Sequence, residues 1–104
     1  MEIYDKTFEE EVLKSEKPVL IEFWASWCVP CQSVNYILKE FQKLYDGKIK
    51  IVKLNIDRNK KIPRRYEITG VPTFMTFKDG KIIETRVGAQ SNQDIKAMID
   101  KVIS

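Results

Sequence analysis

Residues Val19–Cys31 read VLIEFWASWCVPC, and they are the most informative part of the chain about its fold. Its first five residues are almost wholly apolar, which is typical of a strand covered on both faces of a sheet. Apolar residues then recur at helical spacing from Val34 to Tyr45, where the pair Asp46-Gly47 stops the pattern. A Cys-x-x-Cys between a strand and a helix is typical of a redox dithiol, because one helical turn brings both sulfurs to one side.

Cys28 and Cys31 are the only cysteines, and the chain contains no histidine. The alternatives to a redox pair are a structural disulfide, an inert buried pair and a metal site. A tetrahedral zinc needs about four ligands, so this pair would need carboxylates or a second chain to complete the site. In a reducing compartment, two cysteines that occur without others are more often catalytic or metal-binding than a structural disulfide. We therefore favour redox chemistry and expect no metal.

The composition indicates one globular domain. The chain has 104 residues and a hydrophobic fraction of 43%, which excludes a disordered chain, and its net charge of +3 gives no strong case for nucleic-acid or membrane binding. The segment Met1–Lys6 lacks the apolar core of a signal peptide, and no apolar run approaches the ~20 residues of a membrane span. We therefore expect a cytoplasmic protein, although a secreted chain without its leader would look the same.

The rest of the chain predicts the element order β-α-β-α-β-α-β-β-α, with a weak first strand. The remaining elements are a short helix after the capping-box pair Thr7 and Glu10, a strand over 49–55, a short polar helix or loop over 59–67, strands Thr73–Phe77 and Lys81–Val87 around the turn Asp79-Gly80, and a helix after Ser91 and Asp94. A parallel βαβ unit followed by an antiparallel hairpin predicts a mixed sheet with helices on both faces.

Four motifs resemble the thioredoxin family, and together they span nearly the whole chain. They are Phe23–Cys31, Lys53–Asp57, Gly70–Thr73 and Val87–Ala89. The resemblance implies the α/β thioredoxin fold as one domain over residues 1–104, with a mixed central sheet of four to five strands flanked on both faces by about four helices. It also implies a thiol–disulfide oxidoreductase that reduces protein disulfides.

The resemblance assigns different roles to the two cysteines. Cys28 would start the helix, where free N–H groups and the helix dipole favour an anion, and would be the exposed, attacking thiol. Cys31 would be sheltered and would resolve the mixed disulfide, and Pro30 suits the first helical turn. Val29 replaces the family's usual glycine, and it leaves an oxidant or isomerase open as an alternative. A third alternative is a module that binds partners without catalysis.

Glu22 interrupts the apolar strand, and Lys53 interrupts the pattern of the neighbouring strand. Because burying a charged carboxylate is costly, we expect Glu22 to be protonated, paired with a positive charge, or in contact with water. The family places a lysine beside a buried acid, usually an aspartate. We predict that Glu22, tuned by Lys53, relays a proton to and from Cys31. The alternative is that Glu22 turns outward at a strand end and is only solvated.

The segment around Pro72 is predicted to receive the substrate. The resemblance implies a cis peptide bond before Pro72, with an ordinary trans proline as the alternative, and leaves the Val71 backbone free to pair with an extended chain. Gly70 and Gly88 are expected to allow close backbone approach, with simple turn roles as the alternative, and Asp57 to cap the segment after the strand over 49–55. The expected apolar platform around Cys28 consists of Trp27, Val29, Pro30, Val71, Pro72, Gly88 and Ala89.

The sequence contains no phosphate-binding loop, so we expect no cofactor beyond the Cys28–Cys31 disulfide and only indirect use of NADPH. The resemblance implies thioredoxin reductase as the electron donor and disulfide-containing proteins as targets. We expect a monomer with no nucleic-acid or membrane partner.

Overall fold

The chain folds around one mixed sheet. Its strands are β1 (Glu2–Ile3), β2 (Val19–Trp24), β3 (Lys50–Asn55), β4 (Thr73–Lys78) and β5 (Lys81–Val87). The computed structural model describes residues 1–104, and in it the strand order is β1-β3-β2-β4-β5. Strands β1 and β2 run parallel to β3, whereas β4 runs antiparallel to both β2 and β5. The predicted mixed sheet is confirmed, and β2 lies at its centre.

Four helical segments cover the two faces of this sheet. They are a π-helical segment (Glu9–Leu13), α1 (Val29–Leu44), α2 (Lys61–Arg65) and α3 (Asn92–Ile103). Buried side chains of α1 and α3 form one apolar core with the sheet, and those of the π-helical segment and α2 form a second core on the opposite face. The predicted element order is confirmed. None of these helices is both long enough and apolar enough to cross a lipid bilayer.

The alternation of side chains along β2 decides where its acid lies. Leu20 belongs to the core under α1 and α3, and Ile21 and Phe23 belong to the core on the other face. Because successive side chains of a strand point to opposite faces, Glu22 lies on the same face as Leu20. The one acidic residue of the central strand is therefore directed into the layer between the sheet and α1.

The hairpin between β4 and β5 forms as its sequence predicts. Asp79 and Gly80 both have positive φ, 53° and 77° respectively. Two consecutive residues of positive φ are the requirement of a type I′ turn, whose twist matches that of the strands it joins. The turn lies at the end of the sheet opposite the cysteines, so its function is to fix the register of β4.

Only one of the two predicted capping boxes forms. Ser91 Oγ accepts the Asp94 N–H at 3.0 Å, and an Asp94 carboxylate oxygen accepts the Ser91 N–H at 3.3 Å. Thr7 makes no such cap, because its hydroxyl bonds to the backbone of Tyr4 at 3.0 and 3.2 Å. The prediction of a capping box at Thr7 is therefore wrong, and the helix there is a short π-helical segment.

Candidate active site

Cys28 lies after the carboxyl end of β2 and is the N-cap residue of α1. Its N–H donates to the Ala25 carbonyl at 3.1 Å, which closes the turn between strand and helix. Its Sγ accepts the Cys31 N–H at 3.2 Å, so the sulfur takes the place of a capping oxygen. Free N–H groups and the helix dipole stabilise negative charge at this position. The predicted position of Cys28 at the start of the helix is confirmed.

The two cysteines form a disulfide, and both are buried in it. Their Cα atoms are 5.3 Å apart, and Cys28 and Cys31 are 4% and 1% exposed. The side chains packed around the pair are those of Trp24, Ala25, Ile56 and Val71. The expectation of an exposed Cys28 is wrong for the oxidised protein, because these neighbours close around both sulfurs. Cys28 is still the more accessible of the two.

Trp27 stands beside the dithiol with two-thirds of its surface exposed, 66%. Its indole N–H donates to an Asp57 carboxylate oxygen at 2.9 Å, so Asp57 orients the ring. Asp57 does not cap the segment after β3, and that prediction is wrong. The Asn55 side chain accepts the Asp57 N–H at 2.8 Å, and both Asp5 carboxylate oxygens accept the first N–H groups of α2.

The peptide bond between Val71 and Pro72 is cis, as the resemblance implied. Pro72 is buried, and its carbonyl accepts the Gly88 N–H at 2.7 Å, which joins the end of β5 to the segment before β4. The backbone N–H and carbonyl of Val71 make no hydrogen bond within the chain. One backbone N–H and one carbonyl, both of Val71, are therefore left open next to the dithiol.

The backbone conformation at position 88 favours glycine, whereas no close contact there excludes a side chain. Its φ is +93°, and a Cβ built there would meet no atom within 4 Å. A Cβ on Gly70 would meet only the Val87 side chain, at an ordinary contact distance of 3.6 Å. The prediction of close backbone approach is therefore wrong for contacts within the chain, and the left-handed φ of Gly88, which favours glycine, fits the alternative of a turn role.

Part of the predicted platform forms one wall of a groove. The groove has a volume of about 360 Å³, and Val29, itself 69% exposed, lines it. The lining residues are Val29, Pro30, Ser33, Val34, Pro72, Phe74, Ala89, Gln90 and Asn92. Trp27, Val71 and Gly88 do not line this groove. The expected flat platform is thus divided between a groove on one side of Cys28 and the Trp27 ring.

The polar lining of the groove was missed by the sequence analysis. Ser33 lies one helical turn after Val29 on α1, so helical periodicity placed it on the same face as a predicted site residue. Gln90 and Asn92 lie at or just before the start of α3, shortly after the predicted site residue Ala89, and both line the groove. These side chains can donate or accept hydrogen bonds to a bound chain.

Glu22 is fully buried, with 0% of its surface exposed, so the outward-turned alternative is excluded. Neither of its carboxylate oxygens has a hydrogen-bond partner. Burial raises the pKa of Glu22 from 4.5 to about 8, the Lys53 charge lowers this pKa, and the Glu2 charge raises it. Glu22 is therefore a neutral acid at pH 7 in the oxidised protein.

Lys53 lies opposite Glu22 in the register of β2 and β3 but forms no ion pair with it. Its ammonium donates to Asn35 Oδ1 at 2.5 Å and lies 4.4 Å from the centre of the Trp24 ring. The sequence analysis missed Asn35, although its position four residues after Cys31 places it on the same face of α1.

Comparison with known proteins agrees with this geometry. A family model described as Thioredoxin matches residues 1–101. A thioredoxin of Pseudomonas aeruginosa is 45% identical over 98 residues, which cover 94% of this chain and 91% of that protein. A thioredoxin of Rickettsia bellii is 45% identical over 97% of this chain and 96% of its own. Thioredoxin 1 of a Nostoc species is 41% identical over 96% of this chain and 94% of its own.

Proposed function

Since this chain belongs to the thioredoxin family, we propose that Cys28 and Cys31 carry out its disulfide chemistry in the order attack and resolution. The chain is a protein-disulfide reductase, as its family and its Cys-x-x-Cys pair indicate. The observation that supports the order is the capping bond, in which the Cys28 sulfur accepts an N–H of α1 while Cys31 lies one turn inside the helix.

The reaction begins from the reduced dithiol. The Cys28 thiolate attacks one sulfur of a substrate disulfide, a Cys28–substrate disulfide forms, and the other substrate sulfur leaves as a thiolate that takes up a proton. The Cys31 thiol then loses its proton and attacks the Cys28 sulfur. The Cys28–Cys31 disulfide forms, and the second substrate sulfur leaves as a thiolate that takes up a proton from water. Two electrons have passed to the substrate.

We assign Glu22 as the group that accepts the Cys31 proton, and Lys53 as the charge that tunes it. In the oxidised protein Cys31 carries no proton, and Glu22, with a pKa of about 8, holds one at pH 7. That is the state expected after the thiol has passed its proton to the carboxylate. When the disulfide is reduced again, the same proton returns to the Cys31 sulfur.

Substrate binding is assigned to the groove and to the open backbone beside it. The Val71 N–H and carbonyl have no partner within the chain, so an extended segment of substrate can pair with them as an added strand. Pro30, Pro72 and Ala89 offer apolar contact in the groove. The other residues that we assign to substrate binding are Trp27, Val29 and Gly88. Main-chain pairing with apolar contact makes few demands on side-chain identity, which suits a reductant of many proteins.

The partners follow from the same chemistry. Electrons must reach the Cys28–Cys31 disulfide from another protein, and we propose a thioredoxin reductase as that donor, with NADPH used only there. We propose that no cofactor other than the disulfide takes part. We further propose that residues 1–104 act as one monomeric domain in the cytoplasm, without a nucleic-acid or membrane partner.

The reduction potential of the dithiol tests the direction of the reaction. The protein is equilibrated with mixtures of reduced and oxidised glutathione, and the fluorescence of Trp27, beside the disulfide, reports the fraction oxidised. We expect a reduction potential well below that of the cytosolic glutathione pool, as a general reductant requires. A potential well above that of the pool would assign the protein as an oxidant or isomerase, and Val29→Gly would then be the next variant.

The charge near the dithiol predicts a preference for acidic substrates. Five cations follow Asp57, all are exposed, and none forms an ion pair: Arg58, Lys60, Lys61, Arg64 and Arg65. Arg58 directly follows Asp57, whose carboxylate accepts the Trp27 indole N–H, so this segment begins beside the Trp27 ring. We expect an acidic disulfide peptide to be reduced up to about tenfold faster than a basic one at low ionic strength, with the difference shrinking as salt is added.

Removing three positive charges either after Asp57 or at the far end of the sheet separates a local effect on substrate preference from an effect of net charge. The triple variant Arg58→Gln, Lys60→Gln, Lys61→Gln should lose the preference for the acidic peptide. The control is Lys17→Gln, Lys48→Gln, Lys81→Gln, which removes three exposed cations at the far end of the sheet. Equal losses in both variants would assign the preference to net charge, and no loss in the first would remove the proposed role of the segment.

A further inference from the structure

Glu22 and Lys53 occupy positions at which an ion pair could form, but they do not form one. They are register partners on the adjacent strands β2 and β3, and both lie on the face of the sheet under α1. A buried carboxylate next to a lysine ordinarily gains from direct pairing, because an isolated buried charge is costly. Here both Glu22 oxygens are without a hydrogen-bond partner, and the ammonium lies elsewhere.

Three elements hold the Lys53 ammonium away from Glu22. Asn35 of α1 accepts a hydrogen bond from it at 2.5 Å, and the Trp24 ring of β2 lies 4.4 Å from it. The Trp24 ring is held in turn by Glu2 of β1, whose carboxylate accepts the indole N–H at 3.0 Å. Among these contacts, Asn35 supplies the only hydrogen bond to the ammonium and the only contact from the helix that carries Cys31.

We propose that Asn35 is a positioning residue that captures the Lys53 ammonium and thereby withholds it from the Glu22 carboxyl group. This inference rests on the proposed function, in which Glu22 exchanges a proton with Cys31. Asn35 does not touch the reacting sulfurs in this role. It acts through Lys53, by deciding which of two acceptors the ammonium binds.

The charges around Glu22 make the direction of this effect clear. Lys53 of β3 favours the carboxylate form and Glu2 of β1 disfavours it. Strand β4 places the uncharged Phe74 opposite Glu22, and in the oxidised protein the cysteines of α1 carry no titrating thiol. With Asn35 removed, the freed ammonium can bind the Glu22 carboxylate directly. An opposite charge in contact lowers a carboxyl pKa by roughly 1–3 pH units.

The test measures the ionisation of Glu22 itself in the disulfide form. Carbon-13 in the glutamate carboxyl groups reports the protonation of Glu22 by NMR across a pH series. We expect Asn35→Ala to lower the pKa of Glu22 by at least about one pH unit. Asn35→Asp, which keeps an acceptor oxygen for Lys53, should leave this pKa at or above that of the unchanged protein. Tyr36→Ala, at an exposed neighbour on α1, is the control and should have no effect.

A double-mutant cycle separates positioning from general structural change. In a Lys53→Met background there is no ammonium to release, so adding Asn35→Ala should leave the Glu22 pKa where Lys53→Met alone puts it. Alanine is a strong helix former, so Asn35→Ala is expected to fold. An unchanged Glu22 pKa in Asn35→Ala, or an equal shift in the Lys53→Met background, would overturn the proposal.

Different measurements test the proton relay through Glu22 and the positioning of Lys53 by Asn35. If Glu22→Gln leaves disulfide reduction unchanged while Asn35→Ala still lowers the Glu22 pKa, the proton relay is wrong and the positioning by Asn35 stands. If Glu22→Gln slows reduction while Asn35→Ala leaves that pKa unchanged, the relay stands and the positioning is wrong.

Discussion

Replacing Cys28 with serine is expected to abolish disulfide reduction. A serine hydroxyl at the N-cap of α1 can still accept the Cys31 N–H, so the helix start is preserved, but it cannot attack a disulfide sulfur. The rate of reduction of a model protein disulfide should fall to that of the thiols in the buffer. The control is Ser26→Ala, two residues earlier at an exposed position, which should keep full activity.

Replacing Cys31 with serine should stop the reaction at a defined intermediate. Cys28 can still attack, but no second thiol is present to release the substrate, so a disulfide between Cys28 and the substrate accumulates. Mass spectrometry under non-reducing conditions should find one substrate bound per protein, at Cys28. Accumulation on Cys31 in the Cys28→Ser variant would instead reverse the two roles.

The same pair of variants decides between catalysis and simple binding. A module that only binds partners would retain its function in Cys28→Ser, since the groove and Trp27 lie outside the altered side chain. Continued activity of that variant with a natural target would therefore contradict the reductase mechanism. Loss in Cys28→Ser together with trapping in Cys31→Ser would support both assigned roles.

Glu22→Gln is expected to remove most of the pH dependence of stability between pH 5 and 8 in the disulfide form. The pKa of Glu22 is about 8 in the folded protein, against 4.5 as its ordinary value. Across that window the folded state binds more protons at this residue than the unfolded state, so stability falls as the pH rises. The unfolding equilibrium constant should rise by up to about tenfold per pH unit.

Denaturant unfolding at a series of pH values checks this expectation. The free energy of unfolding of Glu22→Gln should be nearly flat where that of the unchanged protein declines, and the variant should be the more stable of the two at pH 8. Glu40→Gln, at an exposed position on α1, is the control and should keep the slope. A slope that survives in Glu22→Gln would show that another group causes it.

The same variant should also slow catalysis. Without a carboxylate to accept the Cys31 proton, we expect disulfide reduction at pH 7 to be about a hundredfold slower, which is the lower range for loss of a general base. The pH profile of the rate should also lose the limb that depends on Glu22. A rate and a profile both equal to those of the unchanged protein would remove Glu22 from the mechanism.

Local sequence predicted most of the secondary structure correctly because the patterns that define it are local. The helical spacing after Pro30, the turn at Asp79-Gly80 and the box at Ser91 each depend on residues within about four positions of one another. The capping box predicted at Thr7, which does not form, shows where local patterns fail to predict the structure. Asp5 accepts the first two N–H groups of α2, a helix distant in sequence, while Thr7 bonds back to Tyr4 and caps no helix.

The site was predicted unevenly for the same reason. Cys28, Cys31 and Pro72 could be recognised because they belong to contiguous motifs. The groove residues Gln90 and Asn92 lie just beyond the motif Val87–Ala89, and no local pattern marked their side chains as part of the site. The burial of Cys28 was also mispredicted, because side chains distant in sequence, including Ile56 and Val71, close over it.

Local patterns in the chain are sufficient to predict a strand, a redox dithiol and a helix in succession, and an acid that interrupts the central strand. They do not predict that this acid lacks a hydrogen-bond partner, which depends on how the elements pack. Lys53 is within reach of three elements, and α1 and β2 supply Asn35 and Trp24 as its partners while Glu22 is left with none. Hydrogen-bond partners in a core are chosen by three-dimensional packing, and local sequence patterns do not encode that choice.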